Sequence, residues 1–144
     1  KAHALMEILG IEHAYDSRLS SFSKGMKQKV IIISALMHNP DILFLDEPLS
    51  GLDANSVLVI KEIISKLRDE GKTIFYSSHI MEVVEKISDR ILLLKDGRII
   101  ADGNFEEIKK LNNKESLEEV FNDLTGFEDH SMIADKFVKV IKEV

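Results

Sequence analysis

The stretch Ile42-Leu43-Phe44-Leu45-Asp46-Glu47-Pro48, followed closely by Ser50-Gly51-Leu52-Asp53, decides how the chain is read. Four apolar residues bounded by breakers have the length and character of a buried strand in a parallel sheet. Ligands of such sheets bind outside the carboxyl ends of the strands, which puts Asp46 and Glu47 where chemistry is presented. Pro48 then ends the strand by removing a ladder donor.

Taken alone, an Asp-Glu pair reads as a solvated acidic loop. Fixed at a strand tip, the pair suits a nucleoside triphosphatase better. Asp46 would help hold Mg²⁺, a hard cation that prefers oxygen ligands. Glu47 would orient or deprotonate an attacking water. Alternation along a strand aims neighbouring side chains in different directions, so one carboxylate can face a metal and the other a water.

Two further segments stand on either side of this one. Ser21-Phe22-Ser23-Lys24-Gly25-Met26-Lys27-Gln28-Lys29 lies upstream. Ser77-Ser78-His79 follows a second apolar strand downstream. Ser23 with Gly25 at the start of a helix makes an anion site from free N–H groups, a hydroxyl and the positive dipole end, or else an ordinary N-cap. A lone histidine such as His79 reads first as a loop residue.

In this order and spacing the three segments resemble the signature motif, the Walker B motif with its D-loop, and the switch histidine of the ATP-binding cassette (ABC) ATPases. The resemblance runs from the signature helix to about Gly103. It implies Asp46 as a Mg²⁺ ligand, Glu47 as general base and His79 as a contact to the γ-phosphate of ATP. It implies that Ser23, Lys24, Gly25 and Met26 approach a γ-phosphate held by a second cassette, and that the Asp53 loop crosses to that partner's site. Lys24 stands where the family has a first glycine, Met26 where it has glutamine, and Ala54 where proline often follows the aspartate. Lys24 can add charge toward the phosphate or crowd the backbone approach; Met26 removes a hydrogen-bonding group.

The family's phosphate loop, G-x-x-x-x-G-K-[ST], does not occur in these residues. Gly71-Lys72-Thr73 imitates its end, but position 66 is Lys66, and the triplet joins a helix to a following strand, the reverse of the required order. The resemblance puts the phosphate loop and Q-loop before residue 1, so the chain reads as the C-terminal part of a longer cassette. The expected fold is therefore α/β, a partial P-loop NTPase with a mostly parallel sheet. Residues 1–39 form part of a helical subdomain, 40–103 part of the ATPase core, and 104–144 a helical extension. In the family the phosphate-loop strand lies between the His79 strand and the Arg90–Lys95 strand. Without it, two apolar strands face a gap, and an unpaired apolar edge invites self-association.

Read in order, Ala2–Leu9 is an amphipathic helix with Leu5, Ile8 and Leu9 together, closed near Gly10. Residues 10–19 form a connector. A helix from about Lys24 to His38 carries Met26, Val30, Ile33 and Met37 on one stripe, widened by Ile31 and Ile32, so most of it should be buried; Asn39-Pro40 stops it. Asp53 starts a helix with Val57, Ile60, Ile63, Ile64 and Leu67 on one face, closed by Gly71. Thr73–Ser77 is a strand, and Ile80 to Ile87 a short helix. Arg90–Lys95 and Arg98–Ala101 form a hairpin turning at Asp96-Gly97. Helices follow over Phe105–Leu111, Leu117–Leu124 and Ile133–Val144. The last has Ile133, Phe137, Val140, Ile141 and Val144 opposite most of its charges. Ser116–Gly126 resembles the tail of ABC-2-type exporter ATPases.

A chain of 144 residues with 44% hydrophobic and 31% charged content supports one domain with a real core. No run approaches the roughly 18 apolar residues of a membrane span, and no secretory signal pattern opens the chain. Zero cysteines exclude a disulfide scaffold and fit a reducing cytoplasm. The net charge of −6 opposes a nucleic-acid footprint. His3, His13, His38 and His130 have no metal-site spacing. The resemblance thus implies an ATP- and Mg²⁺-dependent subunit at the inner face of the cell membrane. Its partners would be a permease and a second cassette, identical or not. An ABC-type ATPase acting on DNA or ribosomes, or an interaction module without chemistry, are the alternatives.

Overall fold

A computed structural model of the chain describes residues 1–126 and 130–142. The chain divides into two compact units, residues 1–79 and 80–144.

The first unit begins with α1 (Ala2–Ile8), whose Met6 rather than Ile8 points inward. Two 3₁₀ turns, Glu12–Ala14 and Leu19–Ser21, occupy the expected connector. They set Ile11, Ala14 and Phe22 around Met6 and Ile33 of α2 (Lys24–Leu36), with Leu5, Leu9, Met26 and Val30 packed alongside. Helix α2 is buried along one stripe only, at Ile32 and Ile33. Ile31 is exposed on its far side, and Met37 is exposed beyond its end, contrary to the wide buried face expected from the apolar run. Four consecutive apolar residues must circle a helix, and here the core reaches only part of that circle.

β1 (Ile42–Leu45) and β2 (Thr73–Tyr76) pair in parallel, Ile42 with Thr73 through Leu45 with Tyr76. The crossover is α3 (Ala54–Asp69), which buries Ser56, Ile60 and Ile64. Its C-terminus is a Schellman motif: Lys72 N–H donates to the Leu67 carbonyl and Gly71 N–H to that of Arg68, with Gly71 at φ +86°. Lys72 Nζ meanwhile donates to Asp41 Oδ1 at 3.0 Å. Gly71-Lys72-Thr73 is thus a helix stop and strand start, as its sequence context indicates.

The reading of β1 as buried on both sides needs correction. Leu43 and Leu45 are buried, whereas Ile42 and Phe44 are 58% and 73% exposed. Phe44 stacks on its cross-strand partner Phe75, ring centroids 4.9 Å apart and planes 8° from parallel, and Phe75 is itself half exposed. Strand composition that signals burial on two faces here meets a helix layer on one.

The second unit contains α4 (Met81–Ile87), then β3 (Ile91–Lys95) and β4 (Arg98–Gly103), which pair antiparallel. Asp96 and Gly97 both have positive φ, +49° and +73°, as a type I′ turn demands. A register shift between Leu93 and Leu94 bends the ladder. Only two of the four strands among the described residues are therefore parallel. Helices α5 (Phe105–Asn112) and α6 (Leu117–Thr125) cover the hairpin, burying Ile91, Leu93, Ile108, Leu117 and Val120 together. Asn104 and Glu107 form a capping box on α5. Glu85 of α4 accepts the Leu117 N–H at 2.6 Å, tying the start of α6 to α4. Helix α7 spans His130–Lys142; the expected continuation through Glu143 and Val144 lies outside the described residues.

Arg90 grips Asp102 with two N–H groups at 2.7 and 2.8 Å, which lowers the Asp102 pKa below its ordinary 3.8. A depressed carboxylate adds stability that is fully present above the ordinary value and disappears as pH falls through the folded one. Arg90→Ala should therefore destabilise the hairpin unit at neutral pH and converge with wild type under strong acid. Urea midpoints measured against pH check this; a constant difference across the acid limb would refute it.

Candidate functional site

The site grows from the carboxyl end of β1. Ser77 N–H, just past β2, donates to the Leu45 carbonyl at 2.9 Å and so carries the parallel pairing one residue beyond the strands. That extension brings Ser77 Oγ beside the couplet, where it accepts the Glu47 N–H at 2.9 Å and donates to Asp46 Oδ1. Glu47 itself has φ +46°. A non-glycine residue there costs roughly 1–2 kcal/mol and persists only where its surroundings fix it. They do so on both sides of the peptide: besides Ser77, Gln28 Nε2 of α2 donates to the Glu47 carbonyl at 3.3 Å and Ser50 N–H at 3.0 Å. The kink turns the Glu47 side chain off the line of the strand and onto His79, with Nδ1 to Oε2 at 2.9 Å. His79 is 74% exposed and Glu47 37%, so both are open to a ligand.

An ionised Glu47 can only accept, so Nδ1 must carry the hydrogen in this pair. Nε2 remains for another partner. To bond an anionic oxygen as well, His79 needs hydrogen on both nitrogens and hence a positive charge.

Asp46 is exposed and one of its oxygens is engaged by Ser77. Among the described residues no three acidic, histidine or cysteine side chains cluster as a metal cage. A single exposed carboxylate at a strand end is the kind of ligand Mg²⁺ takes, since that ion is held by one or two carboxylates with waters and substrate phosphates completing its shell.

Ser23 caps α2, its Oγ accepting the Met26 N–H at 3.2 Å. Ser23 and Lys24 are exposed, while the Met26 side chain packs on the Phe22 and Ile33 cluster and faces inward. Gly25 lies tight against the loop after Pro48: a Cβ there would come within 2.9 Å of the Gly51 carbonyl oxygen. Gly51, at φ +75°, is in turn covered by the aliphatic stem of Lys24, which a Cβ would meet at 2.7 Å. The start of α2 and the Ser50–Asp53 loop are therefore one packed unit. Gly25→Ala should force them apart, costing about 1–3 kcal/mol, read as a lower urea midpoint; an unchanged midpoint would show that the loop simply yields.

Asp53 accepts the Ser56 N–H at 3.0 Å on one oxygen and the Ser56 hydroxyl on the other, which keeps its pKa below the ordinary value. Both oxygens thus serve its own helix. Ser77 and Gln28, which position Glu47, were not singled out by the sequence. Gln28 lies four residues into α2 and Ser77 two before His79, and neither position has a pattern that announces a backbone contact. An apolar groove of about 320 Å³ lies between α1, α2, α3 and the β1–β2 pair, lined by Leu5, Ile32, Leu36, Leu43 and Ile63 among others. Its lining includes neither Glu47 nor His79.

The β1–α3–β2 crossover thus sets a pair of carboxylates at the end of one strand and a histidine just beyond the end of its neighbour, as the resemblance to ABC ATPases implies, and the comparisons point the same way. A family model described as "ABC transporter" matches residues 1–50. The chain is 40% identical over 117 residues to the ABC transporter ATP-binding protein NatA of Bacillus subtilis, covering 81% of this chain and 48% of that one. It is 41% identical over 100 residues to the Nod factor export ATP-binding protein I of Rhizobium meliloti, covering 69% and 30%. Among solved structures, an ATP-binding subunit of an ABC transporter superposes with a TM-score of 0.79 at 32% identity, covering 85% of this chain and 52% of that one. Over 81% of its own length the chain is thus similar to an ABC transporter ATP-binding protein, and its fold is that of such a subunit. It spans about half or less of the length of the relatives it matches.

Proposed function

We propose that these residues are the hydrolytic half-site of a cassette that drives transport, and export in particular, by ATP-powered closure of two cassettes. The observation that carries the reading is the 2.9 Å contact between Glu47 and His79 at the end of β1. The name of the Rhizobium relative supports export. Asp46 would hold Mg²⁺, which neutralises charge on the phosphate oxygens when bound. Glu47, fixed by its backbone contacts, takes the proton of the attacking water. His79 steadies the Glu47 carboxylate through Nδ1 and reaches the γ-phosphate through Nε2. Ser23, Lys24 and Gly25 face the nucleotide of the second cassette, where Lys24 adds a charge while its stem keeps the Gly51 turn in place. Met26 contributes backbone only. Asp53 orders the loop that approaches the partner. In this reading residues 1–39 belong to the helical subdomain, 40–103 to the ATPase core and 104–144 to an extension, and a permease holds the assembly at the inner membrane face.

The sequence contains no G-x-x-x-x-G-K-[ST] loop, so the 144-residue chain by itself should not turn over ATP. Phosphate release by the pure chain that vanishes in Glu47→Gln would overturn this. The exposed Ile42, Phe44 and Phe75 face should also make the chain self-associate. Light scattering should give a mass above the monomer that falls in Phe44→Ser; a monomeric wild type would refute it.

A further inference from the structure

Glu47 is gripped by two different elements. Ser77 Oγ, just past β2, holds its N–H at 2.9 Å, and Gln28 Nε2 of α2 holds its carbonyl at 3.3 Å. A carbonyl oxygen only accepts, so the Gln28 amide must turn its NH₂ toward it. The Glu47 Cα, at φ +46°, lies between these two holds. The aim of its carboxylate therefore depends on where both of them stand. Gln28 lies four residues after Lys24 and three after Gly25, so the three share one face of α2. That face runs along a single loop. Gln28 meets the loop at Glu47, Gly25 abuts the Gly51 carbonyl with no room for a Cβ, and the Lys24 stem covers Gly51. The loop between them is held firmly. Pro48 and Leu49 are buried, and the Glu47 carbonyl also closes a turn with the Ser50 N–H at 3.0 Å.

We propose that Gln28 transmits engagement of the α2 start to Glu47, so that a phosphate seated at Ser23 and Gly25 tightens the aim of the base in the same chain. The link rests on the reading of that start as the face toward the second cassette's nucleotide. It adds that the nucleotide of one cassette tunes hydrolysis in the other. A small advance of α2 is enough. At 3.3 Å the amide contact is roughly 0.3 Å longer than an ordinary N–H···O bond, and the missing side chain at Gly25 leaves clearance for the helix to close on the loop. Gln28 touches no reacting atom, so it is a positioning residue.

Gln28→Met keeps the length of the side chain and removes the donor, whereas Gln28→Lys restores a donor at similar reach. In a cassette that carries these residues with a phosphate loop, Gln28→Met should lower kcat by about 10–100-fold, the scale set by a misplaced catalytic group. ATP affinity and the thermal midpoint should stay near wild type, and Gln28→Lys should recover most of the rate. A double-mutant cycle with Ser23→Gly reads the link itself, since that substitution removes the hydroxyl while weakening the helix cap little. Ser23→Gly should slow turnover in the wild-type background and slow it several-fold less once Gln28→Met is present. In the 144-residue chain, Gln28→Met should free His79 from Glu47, moving the ring hydrogen from Nδ1 toward Nε2 in nitrogen-resolved NMR. Effects of Ser23→Gly and Gln28→Met that simply multiply would overturn the link. So would wild-type turnover in Gln28→Met, a rate loss matched by a fall in thermal midpoint, or a His79 ring that the substitution leaves unchanged. Wild-type turnover in Ser23→Gly or in Glu47→Gln would instead overturn the underlying site, which separates its failure from that of the link.

Discussion

Glu47→Gln, in a cassette that carries these residues together with a phosphate loop, is expected to lower ATP turnover by about 10²–10⁴-fold while leaving ATP affinity nearly unchanged. The amide keeps the size of the carboxylate, and the backbone contacts from Ser77, Gln28 and Ser50 do not involve the side chain. What is lost is the proton acceptor and the ionic half of the contact with His79. His79→Ala should also slow turnover, but with a different signature: Glu47 keeps its basicity and loses its orientation. Ser77→Ala should fall between them, because it frees the strained Glu47 peptide without touching either side chain. Steady-state turnover with nucleotide binding measured on the same samples separates the three. Wild-type turnover in Glu47→Gln would remove Glu47 from its role.

Leu117→Ala should produce the largest loss of stability. Its side chain is fully buried against Ile91, Leu93, Ile108 and Val120. Truncation in such a site costs about 2–5 kcal/mol through lost transfer energy and the cavity left behind. The α6 start is held by Ser116 and Glu85, so the helix has little freedom to collapse into the space. A small domain has only about 5–15 kcal/mol in total, so the hairpin unit would be close to unfolding. Chemical denaturation followed by circular dichroism reads this directly; a loss below about 1 kcal/mol would mean the core repacks. Leu111→Ala makes the control, since Leu111 of α5 is 83% exposed and should change little.

Local signals carried most of the element order. Asp96-Gly97 announced the hairpin, Gly71 the end of α3, and Asp53 and Ser23 the starts of α3 and α2, because each is a backbone requirement met by a particular side chain. Burial was harder to read. Apolar composition marks which residues can be buried, not how many neighbouring layers are present, and so Phe44, Ile42 and Ile31 were expected inside and stand outside. At the site, the position of Asp46 and Glu47 at a strand end was legible from the apolar run before them, whereas His79 stood out only through the family resemblance; their meeting is seen in the 2.9 Å contact of Glu47 with His79. The positive φ of Glu47 was not legible, since it arises from three contacts made by Gln28, Ser50 and Ser77. Nor was the packing of Lys24 over Gly51, which turns a departure from the signature pattern into a contact with the following loop.

The most direct measurement is a crystal structure of the Glu47→Gln cassette grown with ATP and Mg²⁺. The γ-phosphate should lie within about 2.6–3.2 Å of His79 Nε2, with a water between it and the side chain at position 47. A γ-phosphate bound out of reach of both residues would contradict the assignment of this site.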